Sequence, residues 1–261
     1  MEISGKNVIV VGGASGFGKA SAELLHARGA HVAILDREGS EGKAVAASVG
    51  GGFFAVDVTD FDQTQERLDA AVAALGGLHV ILTTAGGAVA ERTLGKNGPH
   101  SLESFRAIID LNLVATFNIS RLAAAHMAKN EPEGNEPEGE DTGERGVIIN
   151  TASIAAFEGQ IGQVAYTAAK AGIAGMCLTM ARDLGSLGIR VLAIAPSLFA
   201  TGLTKGIPDE YAVSLTKDAA FPKRLGKPEE FAKLVYAIVD NPMLNGQCLR
   251  LDAGQRFGPK L

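Results

Sequence analysis

Cysteine is nearly absent from this chain: Cys177 and Cys248 are the only two in 261 residues. Two thiols cannot build a disulfide framework, and both fall in apolar segments where a small buried thiol is ordinary, so a reducing compartment is expected. Basic charge is not in excess either. The formal net charge is -5, and without clustered Lys and Arg there is no electrostatic ground for expecting nucleic acid as the main partner. Uninterrupted apolar runs are only strand-sized, short of the roughly 20 residues a membrane-spanning helix needs. Residues 1 to 6 lead almost directly into an apolar run, with no room for the parts of an export signal. The expectation is a soluble protein that takes a small molecule, without membrane or metal, located in the cytoplasm or alternatively in the mitochondrial matrix.

What is present is ordinary globular material, 46% hydrophobic and 20% charged, with 33 glycines. Many of these glycines stand where strand-like runs pass into helical patterns, the places where a backbone approaches a ligand closely. Short β-branched runs at Asn7 to Val11, His31 to Leu35, Gly52 to Val56, His79 to Thr83, Gly146 to Thr151 and Arg190 to Ala195 alternate with longer segments of three- and four-residue apolar spacing. Those helical segments are Phe17 to Arg28, Thr64 to Leu75, Leu102 to Met127, Tyr166 to Leu184 and Glu229 to Asp240, and Cys248 to Leu251 adds a seventh strand. Strand and helix in repeated alternation predict an α/β doubly wound Rossmann fold: a seven-stranded parallel sheet in one three-layer domain over residues 1 to 261. One segment departs from the pattern. Residues 129 to 145 (KNEPEGNEPEGEDTGER) hold two copies of NEPEG, seven acidic residues and no apolar one, which predicts a solvated surface loop without chemistry of its own.

Gly12, Gly16 and Gly18 follow the first strand in a GxxxGxG turn, with Ser15 and Phe17 between them. Gly12 permits a tight turn, Gly16 the close approach of a pyrophosphate and Gly18 the packing of helix on strand, while the helix start offers N–H groups and a positive dipole end to phosphate. Asp36 ends the second strand, 18 residues after Gly18. There a carboxylate accepts hydrogen bonds from ribose hydroxyls and repels a ribose phosphate, which favours NAD over NADP, with Arg37 softening the preference. Asp57 and Val58 end the third strand, placed to touch an adenine.

Tyr166 and Lys170 are four apart in a helical stretch, so they project from neighbouring turns of one face. An ammonium near a phenol favours the phenolate, lowering a proton affinity that ordinarily corresponds to a pKa of about 10 toward one useful in neutral water. Ser153, 13 residues earlier, is able to direct its hydroxyl at the same substrate oxygen. Asn112 sits in the middle of the long Leu102 to Met127 pattern, where Asn is a poor helix former, so its side chain is wanted for something else. A Tyr-x-x-x-Lys pair alone is a common exposed helix face. Here it belongs to one of only three tyrosines and comes with the serine, the glycine turn and the spaced aspartate.

Together these residues resemble the classical short-chain dehydrogenase/reductase family over essentially the whole chain. The resemblance places the family's catalytic tetrad on Asn112, Ser153, Tyr166 and Lys170 and its glycine motif on Gly12, Gly16 and Gly18. It implies that Lys170 and Tyr166 also contact the cofactor, that Asn112 holds a relay water, that Ala85, Gly86, Pro196 and Thr201 line the nicotinamide end, and that Gln163 joins Ser153 and Tyr166 at the substrate. RGVIINTASIAAFEGQIGQVAYTAAK, NGQCLRLDAG and PKRLGKPEE are similar to the branch acting on 3-hydroxyacyl-CoA thioesters or hydroxysteroids, in homotetramers. Helices Leu102 to Met127 and Tyr166 to Leu184 are then expected to pair across a dimer axis. Basic residues Arg92, Lys96, His100, Lys205, Lys223 and Arg224 stand in loops where CoA phosphates would be met. Departures from the family are Val11 for Thr, Thr83-Thr84 for an Asn-Asn or Asn-Cys pair whose amide helps brace the central strand, and Ser197 and Ala253 for Gly. The competing readings are a hydroxysteroid or general secondary-alcohol dehydrogenase, with an apolar cleft from Phe157 to the Ile194 to Tyr211 region, and a noncatalytic NAD-binding scaffold.

Overall fold

A computed structural model of the chain describes residues 1–134, 143–202 and 214–259. Its sheet has seven parallel strands: β1 Asn7–Val11, β2 His31–Asp36, β3 Phe53–Ala55, β4 Val80–Thr83, β5 Gly146–Thr151, β6 Ile189–Pro196 and β7 Cys248–Leu251. The spatial order is β3-β2-β1-β4-β5-β6-β7. The chain winds outward from β1 to β3, then crosses back to β4, so the loops leaving β1 and β4 diverge and open a crevice at the carboxyl ends of the strands. The doubly wound α/β architecture expected from the sequence is therefore present.

Strands such as β1 (NVIVV) are buried on both faces, as parallel strands covered by helices must be. Alternate side chains feed separate cores. Val8, Val10, Ile34, Val147 and Ile149 pack against α1 (Gly16–Ala27), α2 (Gly42–Ser48) and α7 (Pro228–Asp240) through Leu25, Val45, Phe231 and Val235. Ile9, Val11, Leu35, Ile148 and Val191 face α3 (Phe61–Leu75), α5 (Ala115–Met127) and α6 (Val164–Leu184) through Leu68, Ile119 and Met180.

The boundaries differ from the periodicity where capping decides them. Helix α3 starts at Phe61 rather than Thr64 because the Asp60 side chain accepts the Gln63 N–H, and it stops at Gly76 in the left-handed region. Short α2 and a two-stranded hairpin, Leu94–Gly95 with Gly98–Pro99, lack a long periodic signal and were not expected. The pattern over Leu102 to Met127 is three pieces: α4 (Leu102–Ile109), a π-helical turn (Asp110–Val114) and α5.

Leu102–Met127 and Val164–Leu187 have mean hydropathies of 1.3 and 1.2 over windows long enough to cross a bilayer. No uninterrupted apolar run announces this; here both pack against the sheet. At the acidic insertion, Asn130 Nδ2 donates to the carbonyls of Leu78 (2.6 Å) and Arg145 (2.8 Å), and Glu133 pairs with Glu144 as an antiparallel bridge. The middle of the predicted solvated loop, 135–142, lies outside the described residues.

Candidate active site

Between β1 and α1 the chain turns at Gly12, whose φ is +83°; a Cβ there would lie 2.5 Å from the Ala85 amide nitrogen. At Gly18 a Cβ would lie 2.2 Å from the Gly12 carbonyl oxygen. Only glycine therefore lets the helix start this close to the turn, and the partner is the turn itself rather than the strand. Gly16, at φ +49°, approaches Thr201, whose Cβ would be 3.3 Å from an added methyl. Ser15 caps α1 with extended backbone but makes no side-chain cap bond, and no acidic residue stands in the first turn. No residue of the helix's own cap or first turn offsets its positive end. Phe17 stacks on Phe231 at 4.2 Å and meets Phe199 edge-on at 5.1 Å, so its ring belongs to the core and only its backbone faces the turn.

Asp36 sits beside this turn. Its Oδ2 accepts the Ala14 N–H (2.9 Å) and its Oδ1 the Arg37 N–H (2.7 Å). Asp57 accepts from the Thr59 hydroxyl (2.7 Å) and N–H (2.9 Å), which holds its carboxyl below the ordinary range; Val58 is buried among core side chains. The glycine cradle, the helix start without an acidic first turn and a carboxylate at the end of β2 fit an adenine dinucleotide.

Ser153 follows β5 and caps a 3-10 turn, Ile154–Ala156, its Oγ accepting the Ala155 N–H at 3.1 Å. Its hydroxyl stands close enough to the Tyr166 hydroxyl to act on that group's proton affinity. Lys170, only 4% exposed, donates from Nζ to the Thr151 carbonyl at 2.7 Å, and Nζ stands 5.6 Å from the Tyr166 ring centroid. Burial brings the Lys170 ammonium down to about 8. Burial also pushes the Tyr166 hydroxyl up, and the hydrogen bond from Ser153 pulls it back part of the way. The direction for Tyr166 is opposite to the one expected from spacing, because burial of the hydroxyl dominates while Lys170 Nζ is turned to a backbone carbonyl.

Asn112 lies in the π turn and is completely buried. Its Nδ2 donates to the carbonyls of Gly87 and Ile108, both at 2.9 Å, and its Oδ1 accepts the Gly87 N–H at 3.2 Å. A Cβ on Gly86 would fall 2.6 Å from Asn112 Oδ1 and 3.5 Å from Lys170 Nζ. The Ala85-Gly86-Gly87 strand exit is thereby laid flat against both residues. The Thr83-Thr84 departure does not leave this strand end unbraced: the Thr84 hydroxyl lies 3.1 and 3.0 Å from the carbonyl oxygens of Val11 and Gly12, and Thr151 Oγ1 donates to the Thr83 carbonyl at 2.7 Å. Of the hydroxyls at this strand end, that of Thr83 is buried without a partner.

Gln163 caps α6 and its Oε1 accepts the Gln160 N–H at 3.0 Å, so the side chain closes its own loop. Pro196 ends β6, and the Ser197 N–H reaches the Leu251 carbonyl at 3.1 Å. Of the basic loop residues, Arg224 is engaged by Glu230 (2.6 and 2.9 Å), Lys223 by the Lys217 carbonyl and His100 by the Glu91 carbonyl. Arg92 lines a cavity of about 730 Å³ with Glu91, Ile161, Val164, Thr167 and Pro259, a site that contains none of Asn112, Ser153, Tyr166 and Lys170. Lys205, and the Tyr211 end of the cleft on which a steroid reading turns, lie outside the described residues. Sequence reasoning missed the carbonyls of Thr151 and Gly87, since every residue carries a carbonyl and no residue type signals one.

A family model described as short chain dehydrogenase matches residues 6–212. The chain is 46% identical to the 3-hydroxyacyl-CoA dehydrogenase type-2 of Homo sapiens over 261 residues, covering 98% of this chain and 97% of that protein. It is 45% identical to the protein of the same name from Drosophila melanogaster, covering 96% and 97%. Among solved structures, 3-hydroxyacyl-CoA dehydrogenase type-2 from Mycobacterium avium superposes with a TM-score of 0.91 at 42% identity, covering 98% of both chains.

Proposed function

The chain belongs to the short-chain dehydrogenase family and is an oxidoreductase using a nicotinamide cofactor, and from that premise we propose that it interconverts 3-hydroxyacyl-CoA and 3-oxoacyl-CoA with NAD. The observation that carries the reaction is the convergence of the Ser153 and Tyr166 hydroxyls, with the Lys170 ammonium fixed on the Thr151 carbonyl 5.6 Å from the Tyr166 ring centroid.

In the oxidative direction Tyr166, as phenolate, takes the proton of the substrate hydroxyl. Ser153 donates a hydrogen bond to the same oxygen and holds the carbinol carbon toward the crevice above β1 and β4. Lys170, fixed by the Thr151 carbonyl, supplies the cation that stabilises the phenolate as substrate excludes water. When bound, NAD supplies the hydride acceptor. In the reductive direction Tyr166 returns the proton to the oxygen. Gly12, Gly16, Gly18 and the N–H groups opening α1 would hold the pyrophosphate, Asp36 the adenosine ribose, and Thr201 with the Ala85-Gly86 exit the nicotinamide end. Asp36 supports NAD rather than NADP, since a ribose phosphate would meet its carboxylate.

The thioester assignment draws on the 3-hydroxyacyl-CoA dehydrogenases named above, which cover nearly the whole chain. Its test is NADH oxidation with acetoacetyl-CoA against a plain β-keto ester, in the unsubstituted protein and in Tyr166→Phe. A strong preference for the thioester, with turnover falling by roughly 10²- to 10⁴-fold in Tyr166→Phe while NADH still binds, is the expected result. Equal rates with both ketones would remove CoA recognition, and a Tyr166→Phe variant keeping most of its kcat would remove the mechanism. Assembly as a homo-oligomer through α4–α5 and α6 accords with the exposed Phe117 and Leu178 on those helices, and light scattering would measure it.

A further inference from the structure

Ser153 and Tyr166 must meet at one substrate oxygen, yet the segment joining them has only the 3-10 turn Ile154–Ala156 as regular structure before α6 begins at Val164. It includes Gly159 and, with φ at +89°, Gly162. Such a connection is soft unless something outside it holds it.

Glu158 is its anchor point. Its N–H bonds back to the Ile154 carbonyl at 3.0 Å, and its carboxylate takes Arg250 in a two-point fork, Nη1 to Oε1 at 2.9 Å and Nη2 to Oε2 at 3.1 Å. Arg250 lies on β7, where it pairs with Ala195 of β6, so its backbone is part of the sheet. The remaining guanidinium contacts fix its direction: Nε donates to Asp252 Oδ2 at 2.6 Å, Nη2 to the Gln255 carbonyl at 3.0 Å, and the guanidinium carbon stands 5.3 Å from the Phe157 ring centroid. The Arg250 and Glu158 side chains are 23% and 22% exposed, so the fork is largely shielded from water, where paired planar charges hold geometry best. Residues after Asp252 extend the grip: the Phe257 N–H reaches Glu158 Oε2, Gln160 Nε2 donates to the Gly258 carbonyl, and the Ile161 N–H donates to the Pro259 carbonyl at 3.0 Å.

We propose that Glu158, gripped by Arg250, is a positioning residue: it locks the Ser153-to-Tyr166 connection onto the seventh strand and so sets the spacing of the two hydroxyls. The inference rests on the dehydrogenase mechanism above, and it concerns no group that touches substrate or cofactor. It separates the two halves of the site, because the glycine turn on β1 and Asp36 on β2 are four and five strands from β7 and are not among the bonded partners of the fork.

The test uses Glu158→Gln and Arg250→Lys in the full chain, with their double variant. Glu158→Gln removes the negative charge and Arg250→Lys the planar second donor, so each keeps the bulk of the side chain and breaks the two-point fork, with Arg256 Nε still 3.5 Å from Glu158 Oε1. We expect kcat to fall roughly tenfold while NADH affinity, read by its bound fluorescence, changes by no more than about twofold. Amide hydrogen exchange should quicken over residues 154–163 and stay unchanged in β1 and β2. The double variant should be no slower than the slower single, as for two residues acting as a unit. Full kcat in the folded variants would overturn the proposal, as would a parallel fall of NADH affinity and kcat, or multiplying losses in the double variant. Absence of NAD-linked turnover in the unsubstituted protein would instead overturn the functional reading, and this inference with it.

Discussion

Asn112 and Gly87 hold each other through two hydrogen bonds, Nδ2 to the Gly87 carbonyl at 2.9 Å and the Gly87 N–H to Oδ1 at 3.2 Å. A third, from the same Nδ2 to the Ile108 carbonyl, occupies the backbone acceptor four residues back. One buried amide therefore ties the π turn between α4 and α5 to the exit of β4. Replacing Asn112 with Ala leaves buried backbone groups of Gly87 and Ile108 short of a partner, which costs about 1–3 kcal/mol. The expected outcome is a lower unfolding midpoint in urea together with reduced turnover, and an unchanged midpoint would show that water replaces the amide without loss.

The pH dependence follows from the directions of two shifts. Burial raises the Tyr166 hydroxyl, so in the free enzyme it is protonated at neutral pH, and the phenolate that oxidation requires appears only as the medium becomes alkaline. Oxidation should accelerate with rising pH until Lys170 begins to lose its supporting charge near about 8. Reduction needs the phenol and should be flat through neutrality, then decline as Lys170 loses its charge near about 8 and no longer stabilises the phenolate left behind. Initial rates in both directions from pH 6 to 10 would check this; an oxidative profile already level below pH 7 would mean that Tyr166 ionises despite its burial.

Asp36 is expected to set cofactor choice. In Asp36→Ser the carboxylate that would face a ribose phosphate is gone, and with it the acceptor for the Ala14 N–H. The ratio of kcat/KM for NAD over NADP should drop by at least about tenfold, in keeping with like-charge contacts worth several kcal/mol. A ratio that does not move would show that other groups discriminate the cofactors.

Ala253 carries a φ of +54°, the only positive value among described residues other than glycine. Its carbonyl accepts the N–H groups of Ala220 and Phe221, at 2.9 and 3.1 Å, which holds it in this conformation. Glycine adopts the left-handed region without a Cβ clash, so Ala253→Gly should stabilise the protein by up to about 1 kcal/mol after the extra entropy of the unfolded glycine is deducted. Thermal unfolding of the pair would measure it, and a lower midpoint for the glycine variant would show that entropy outweighs the strain.

Much of the fold was legible because its signals are local. Apolar periodicity marked all seven strands and five helical segments, while α2 and the hairpin at 94–99 were too short to leave a pattern. The glycine turn, Asp36 at the end of β2 and the Tyr166–Lys170 spacing were legible for the same reason: backbone conformation and the four-residue repeat of a helix are written in neighbouring residues.

What the sequence by itself determined, then, was the reaction's cast: a glycine turn before a helix, a tyrosine with a lysine one turn on, a serine at a strand end. The tertiary structure alone decided their electrostatics and their support. It turned Lys170 toward the Thr151 carbonyl, sank Tyr166 far enough that burial outweighs the opposing pull of Ser153, and gave Asn112 the backbone of Gly87. It also joined Glu158 to Arg250 across 92 residues of chain. These are contacts with backbone carbonyls or between distant side chains, and desolvation depends on everything packed around a group. None of them leaves a mark in the order of adjacent residues; they exist only once the sheet has closed and the helices have docked on it.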